Sequence, residues 1–168
     1  VPDKDPTRVQ RPLCDDGICI KGDRLRIYRK SHGAEEPLSD GHTVYAGDLL
    51  QVAYVPAALE RGVIISVDGN GQVTRHFPED ESGGDNLLVG RQDGSGLVAL
   101  SHAYELDDAP TFERFFFVYT APGVMLHTEE VEAAARRLVE SGDAAGGALP
   151  MGSDGIAVED LLLNKGEP

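Results

Sequence analysis

The chain has 168 residues, 40% of them hydrophobic, enough for one domain with a real core rather than a disordered segment. Its net charge of −14 is uneven: 10 basic and 14 acidic residues over 1–84 give −4, and 5 and 15 over 85–168 give −10. Such a surface repels phosphate backbones and anionic lipid, which argues against nucleic acid or a membrane surface as partner.

Residues 1–20 read as an N-terminal arm or linker; "VPDKDPTRVQRP" carries three prolines and no periodicity. No apolar run approaches the roughly 20 residues that span a bilayer, and no signal peptide is visible. Because the first residue is Val1, we expect any leader or anchor to lie upstream of it. Cys14 and Cys19, in "CDDGIC", are compatible with a disulfide closing a small acidic turn outside the cytoplasm. Two free thiols are also compatible, and spacing alone leaves both open. No further ligands stand near enough for a zinc site.

The β-rich domain is expected over 21–168. "RLRIYRK" alternates, with Arg24, Arg26, Tyr28 and Lys30 forming a solvated face opposite Leu25 and Ile27. "AGD" is a turn in which Asp48 bonds local backbone. The following "LLQVAYV" is apolar on both faces and predicts a central strand. "GVIISVDGNGQVTRHF" predicts a hairpin, with Val73, Arg75 and Phe77 pointing one way and a turn built on Asp68, Gly69, Asn70 and Gly71. Asp68 and Asn70 begin like a calcium loop, but Gln72 breaks the ligand pattern.

"PEDESGGDN" is an acidic connection. Its functional alternative is a divalent-cation site, calcium above all, made by Glu79, Asp80, Glu81 and Asp85. "LVALSHAYEL" predicts a strand, with His102 on the same face as Val98, Leu100, Tyr104 and Leu106. "FERFFFVYT" predicts a second central strand, Phe115, Phe117 and Tyr119 on one face and Phe116 and Val118 on the other. Between these two lies "DDAP". Pro110 holds Ala109 extended, Asp107 and Asp108 accept local hydrogen bonds, and a hairpin would set Glu105 opposite Arg114. Read as an acid–base pair instead, Asp107 or Asp108 would need a pocket and a partner group.

"TEEVEAAARRLVES" predicts a helix over 128–141, with Thr128 as N-cap and Gly142 as its stop. Its stripe of Val131, Ala134, Ala135, Leu138 and Val139 would dock on the sheet. "IAVEDLLLNK" is read as a closing strand, with a short helix as the alternative. No dinucleotide, P-loop, zinc-protease or nucleophile-elbow motif occurs, and the five histidines show no ligand spacing.

Four stretches, "RLRIYRKSHGAEEPLSDGHTVYAGDLLQVAYV", "GVIISVDGNGQVTRHFPE", "AYELDDAPTFERFFFVYT" and "ALPMGSDG…LLLNK", resemble the C-terminal domain of myxobacterial ActD-like, anti-sigma-like membrane proteins. More distantly, the chain is similar to a β-rich domain of unknown function found beside caspase-like peptidases. The likeness covers about residues 21–165 and leaves out both cysteines. It implies a membrane-anchored regulator with this domain on the extracytoplasmic, periplasmic side of a bacterial membrane, and it brings no catalytic residues. Positions shared with it, among them Gly47, Asp48, Asp68, Gly69, Gly71, Asp107, Asp108 and Pro110, are turn residues on the physical reading.

The expected fold is mainly β: an antiparallel sandwich or barrel-like domain of seven or eight strands with one C-terminal helix packed on it. The expected function is non-catalytic, a sensory or protein-interaction domain with an unknown protein partner and no cofactor. A divalent-cation module using the 79–85 loop or the "CDDG" turn is the alternative, and a hydrolase using Asp107 or Asp108 is the third reading.

Overall fold

The computed structural model describes residues 13–15, 18–20, 24–80, 86–88, 96–151 and 154–167. Strands are numbered in chain order. One sheet holds β3 (Leu25–Ser31), β4 (Ala34–Pro37), β6 (Leu49–Tyr54), β9 (Val98–Ala99) and β10 (Tyr104–Glu105), with β10, β6, β3 and β4 in that order and β9 also on β6. The other runs β5 (Thr43–Val44), β12 (Ile156–Lys165), β11 (Phe112–Thr120), β7 (Arg61–Asp68), β8 (Val73–Phe77). A separate two-stranded ladder joins β1 (Leu13–Asp15) to β2 (Ile18–Ile20), and α1 spans Thr128–Glu140. Among the described residues, all strand pairings are antiparallel except β5 with β12. The fold is mainly β with one helix, as expected, and the sheets face each other without closing into a barrel.

Two apolar layers follow from strand periodicity. Leu25, Ile27, Leu50, Val52 and Tyr54 from the first sheet meet Ile64, Phe115, Phe117, Tyr119 and Leu163 from the second. On the second sheet's other face, Val63, Ile65, Val67, Phe116 and Val118 meet Val131, Ala134, Ala135 and Leu138 of the helix. This explains why "FERFFFVYT" is apolar on both faces: β11 lies in the middle layer of three. Each buried phenylalanine there contributes about 1.5–3 kcal/mol. The helix starts at Thr128 as expected, but its cap is one residue earlier. His127 occupies the cap without a side-chain cap bond, while Thr128 is the first helical residue and is buried. Gly142, at φ +81°, ends it as expected.

Three expectations change. "LVALSHAYEL" is two short strands, β9 and β10, not one. "DDAP" is not a hairpin: β10 pairs with β6 in one sheet and β11 lies in the other, so the segment crosses between sheets. Arg114 therefore does not meet Glu105. It pairs with Asp160 at 2.9 Å, donates to the Ala144 and Gly147 carbonyls, and lies over the Phe116 ring. Arg24, expected on a solvated face, is buried. Its guanidinium donates to the Val55 carbonyl, and its backbone N–H and that of Leu25 donate to the Glu159 carboxylate.

Arg114 gives a clean stability test. Its side chain is 7% exposed and that of Asp160 is 43% exposed. Arg114→Met is expected to lower stability by about 2–4 kcal/mol, because two carbonyls lose their donor. Asp160→Asn should lower it by about 1 kcal/mol or less. Urea denaturation of both variants measures the difference, and equal losses would contradict this picture.

Candidate functional site

The polar groups with unusual surroundings gather where the β7–β8 turn meets the crossover between the sheets. Asp68 Oδ1 accepts the backbone N–H groups of Asn70 and Gln72 at 2.9 and 3.0 Å, and Gly71 takes φ +80°. Asp107 Oδ1 likewise accepts the Ala109 N–H at 3.0 Å. Both aspartates thus perform the turn chemistry expected of them. Asp48 does too, accepting the Tyr45 N–H at 2.9 Å. Asp108 is exposed and does not join the group.

The fold adds what the turns alone do not show. Register sets Glu113 of β11 opposite Asp68 of β7. One carboxylate oxygen from each of Asp68, Asp107 and Glu113 then lies within 4.8 Å of the others. Glu113 is 1% exposed. Its Oε1 accepts from the Tyr104 hydroxyl at 3.4 Å, and its Oε2 has no hydrogen-bond partner among the described residues. Lys165 supplies the nearby positive charge: its Nζ donates to the Asp107 and Ala109 carbonyls at 2.8 and 3.1 Å and lies 3.5 Å from Asp107 Oδ1. Burial pushes the Glu113 carboxyl up to about 7. The Ser66 hydroxyl and the Lys165 ammonium pull it down, and the Asp68 and Asp107 charges add to the rise. Burial also raises the Tyr104 phenol, reinforced by Glu113 and Asp107.

Beside the cluster, His76 Nε2 lies 2.8 Å from Ser66 Oγ. A register shift of the β7–β8 ladder places His76 here. Ile65 pairs with Arg75 but Ile64 with Phe77, so β8 carries an extra residue. Phe77 is thereby turned toward the inter-sheet core, not to the side shared by Val73 and Arg75 as expected. The His76 ring packs edge-on to Tyr104 at 4.6 Å and against Phe115 at 5.3 Å. Burial lowers its pKa to about 4, so it is neutral at physiological pH. With the proton on Nε2, it donates to Ser66 Oγ. A cleft of about 200 Å³ opens over this ring, lined by Val52, Arg75, Leu100, His102 and Tyr104. Ser66 itself is fully buried, so this serine–histidine pair presents no nucleophile to solvent.

The remaining sequence candidates lie elsewhere. Glu79 is committed to Ser101, whose backbone N–H it accepts at 3.0 Å. The Asp80 carbonyl accepts from Arg75 at 3.0 Å. Glu81 and Asp85 lie outside the described residues. Register sets Cys14 directly opposite Cys19 in the β1–β2 ladder, and their side chains lie outside the description. Arg29, on the same strand but by alternation on the side of Leu25 and Ile27, pairs with Glu36 at 2.8 Å and Asp48 at 3.2 Å.

Glu113 is the member of the cluster that the sequence reading missed. Its signal was present: strand alternation puts it on the same face as Phe115, Phe117 and Tyr119, the face turned into the sandwich. The chain matches no family model, no curated protein and no solved structure.

Proposed function

We propose that this is a non-catalytic protein-interaction or sensory domain, carried on the extracytoplasmic side by a membrane-anchored, anti-sigma-like regulatory protein. The observation that carries the interaction reading is the outer edge of β12. Leu162 and Asn164 direct their N–H groups away from β11, to Asp40 and to the His42 carbonyl, so by strand parity Ile156, Val158 and Asp160 point theirs outward too. Among the described residues, no strand pairs with that stretch. It is half-exposed to exposed, and an extended peptide could add to it. The opposite sheet's edge, β4, is by contrast blunted by Glu35, Glu36 and Pro37. The buried Ser66 supports the non-catalytic half of the reading. The ActD-like resemblance supports the anchored, regulatory half. No described helix is long and apolar enough to cross a membrane.

The test is a pull-down from bacterial envelope extract with the tagged domain, repeated with Val158→Pro and Asp160→Pro. Proline at these outward positions removes edge donors without breaking the β11 ladder. A saturable partner that both variants lose supports the reading. Retained binding moves the interface elsewhere, and substrate turnover by the pure domain would overturn it. An extracytoplasmic location also predicts that Cys14 and Cys19 are bonded. Thiol titration of the denatured, unreduced protein should then find no free thiol, and two would count against that location.

A further inference from the structure

We propose that Asp68, Asp107 and Glu113 form a binding site for a single calcium ion, independent of the acidic 79–85 loop and of the interaction role above. Three carboxylates alone would not carry this, since acidic groups often cluster without a ligand. What marks the site is Glu113: a side chain 1% exposed, aimed into the cluster, with an oxygen that no described residue satisfies. A buried acceptor left without a donor is costly, and native folds rarely keep one without a use.

Three further features fit a hard, oxygen-seeking cation. The turn bonds of Asp68 and Asp107 engage Oδ1 in each, which leaves Oδ2 for a ligand. All three clustered oxygens lie within 4.8 Å of one another, close enough for one ion to touch each. Calcium takes carboxylate oxygens directly in flexible geometry, whereas magnesium demands a near-ideal octahedron and keeps several waters, so a set fixed by a strand and two turns favours calcium. The charge also fits. Three carboxylates against the Lys165 ammonium leave a net −2, while Lys165 is directed at the Asp107 and Ala109 carbonyls and leaves Glu113 Oε2 unmet. Asp107, with its side chain 50% exposed, gives a route for the ion and for the waters that complete its shell.

Calorimetry and thermal melting at pH 8, after EDTA treatment and dialysis, test the site with calcium chloride and then magnesium chloride. One calcium ion should bind with a Kd on the order of 10⁻⁴ M, as in other partly exposed extracellular sites, and should raise Tm. Glu113→Gln and Asp107→Asn should each weaken binding at least tenfold, while Glu79→Gln and Asp80→Asn leave it unchanged. The half-exposed Asp107 keeps the test sound should Glu113→Gln perturb folding. Terbium gives a second readout: the chain has no tryptophan, and Tyr104 touches Glu113, so bound terbium should luminesce on tyrosine excitation. Absence of calcium heat and of any Tm change up to about 5 mM overturns the proposal. So does a calcium response that survives both cluster variants, and one lost in the Glu79 or Asp80 variant assigns the ion to the acidic loop.

Discussion

Glu113→Gln is expected to stabilise the protein at pH 8 by about 3 kcal/mol when a chelator is present. The ionised carboxylate is then buried, faces two aspartates, and has no partner for Oε2 among the described residues. Glutamine keeps the shape and removes the charge, and its amide can donate to Asp68 or Asp107. The pH dependence follows from linkage. In the folded protein the carboxyl releases its proton near 7, against an ordinary value of 4.5. The stability of the neutral form is complete below pH 4.5 and is lost as pH rises through 7, so variant and wild type should converge at low pH.

His76 acts in the opposite sense. Its folded pKa of about 4 lies below the ordinary 6.5, so its contribution is complete above pH 6.5 and is lost as pH falls through 4. Between about pH 4.5 and 6.5 the two groups offset each other, each contributing a slope of about 1.4 kcal/mol per pH unit. Removing Glu113 should expose the histidine slope: the variant should lose stability on acidification more steeply than wild type. Urea denaturation at pH 4.5, 5.5, 6.5 and 8 measures the difference curve. Parallel curves for the two proteins would mean that the Glu113 carboxyl is not held neutral by the fold.

Periodicity resolved the elements whose surroundings are uniform. β6 and β11 read as central strands because both faces are apolar, and the 131–139 stripe of α1 lies against the sheet's outer face. It could not say which sheet a strand enters. Nothing between Leu106 and Phe112 distinguishes a hairpin from a crossover, so the expected Glu105–Arg114 pair belongs to a ladder that the fold does not form. The extra residue in β8 is equally silent, since Thr74, Arg75 and His76 alternate plausibly until one of them is doubled against β7. Arg24 is expected on the solvated face because an arginine beside an alternating strand usually faces water; its burial depends on Val55 and Glu159, which lie far along the chain. The site is the hardest part because it is assembled from three separated segments. Asp68 and Asp107 are legible chiefly as turn residues, and neither the calcium-loop start at Asp68 nor the acid–base reading of Asp107 brings the two together. Their meeting with Glu113 depends on the β7–β11 register and on the crossover that returns the chain beside the β7–β8 turn.

That meeting also makes Gly69 the most sensitive small residue in the region. A Cβ built on Gly69 would lie 1.7 Å from the Pro110 carbonyl oxygen, and its N–H donates to the Phe112 carbonyl at 3.1 Å. The obstructing atom is backbone, fixed by the proline ring on one side and by β11 on the other, so it cannot swing away as a side chain could. Gly69→Ala must therefore part the β7–β8 turn from the crossover or distort the start of β11. Its expected cost is at least about 4 kcal/mol, in the range reserved for severe steric conflict. Gly71→Ala is the internal comparison. It introduces strain at φ +80° and a 2.8 Å approach to Val139 Cγ1, a side-chain contact that a small shift of the helix can relieve, and should cost about 2 kcal/mol. Both residues occupy the same turn, so a difference of this size in urea denaturation would locate the constraint in the Gly69–Pro110 contact and not in turn geometry at large. Similar losses for the two variants would show that the crossover yields, and with it the close approach that holds Asp107 beside Asp68 and Glu113.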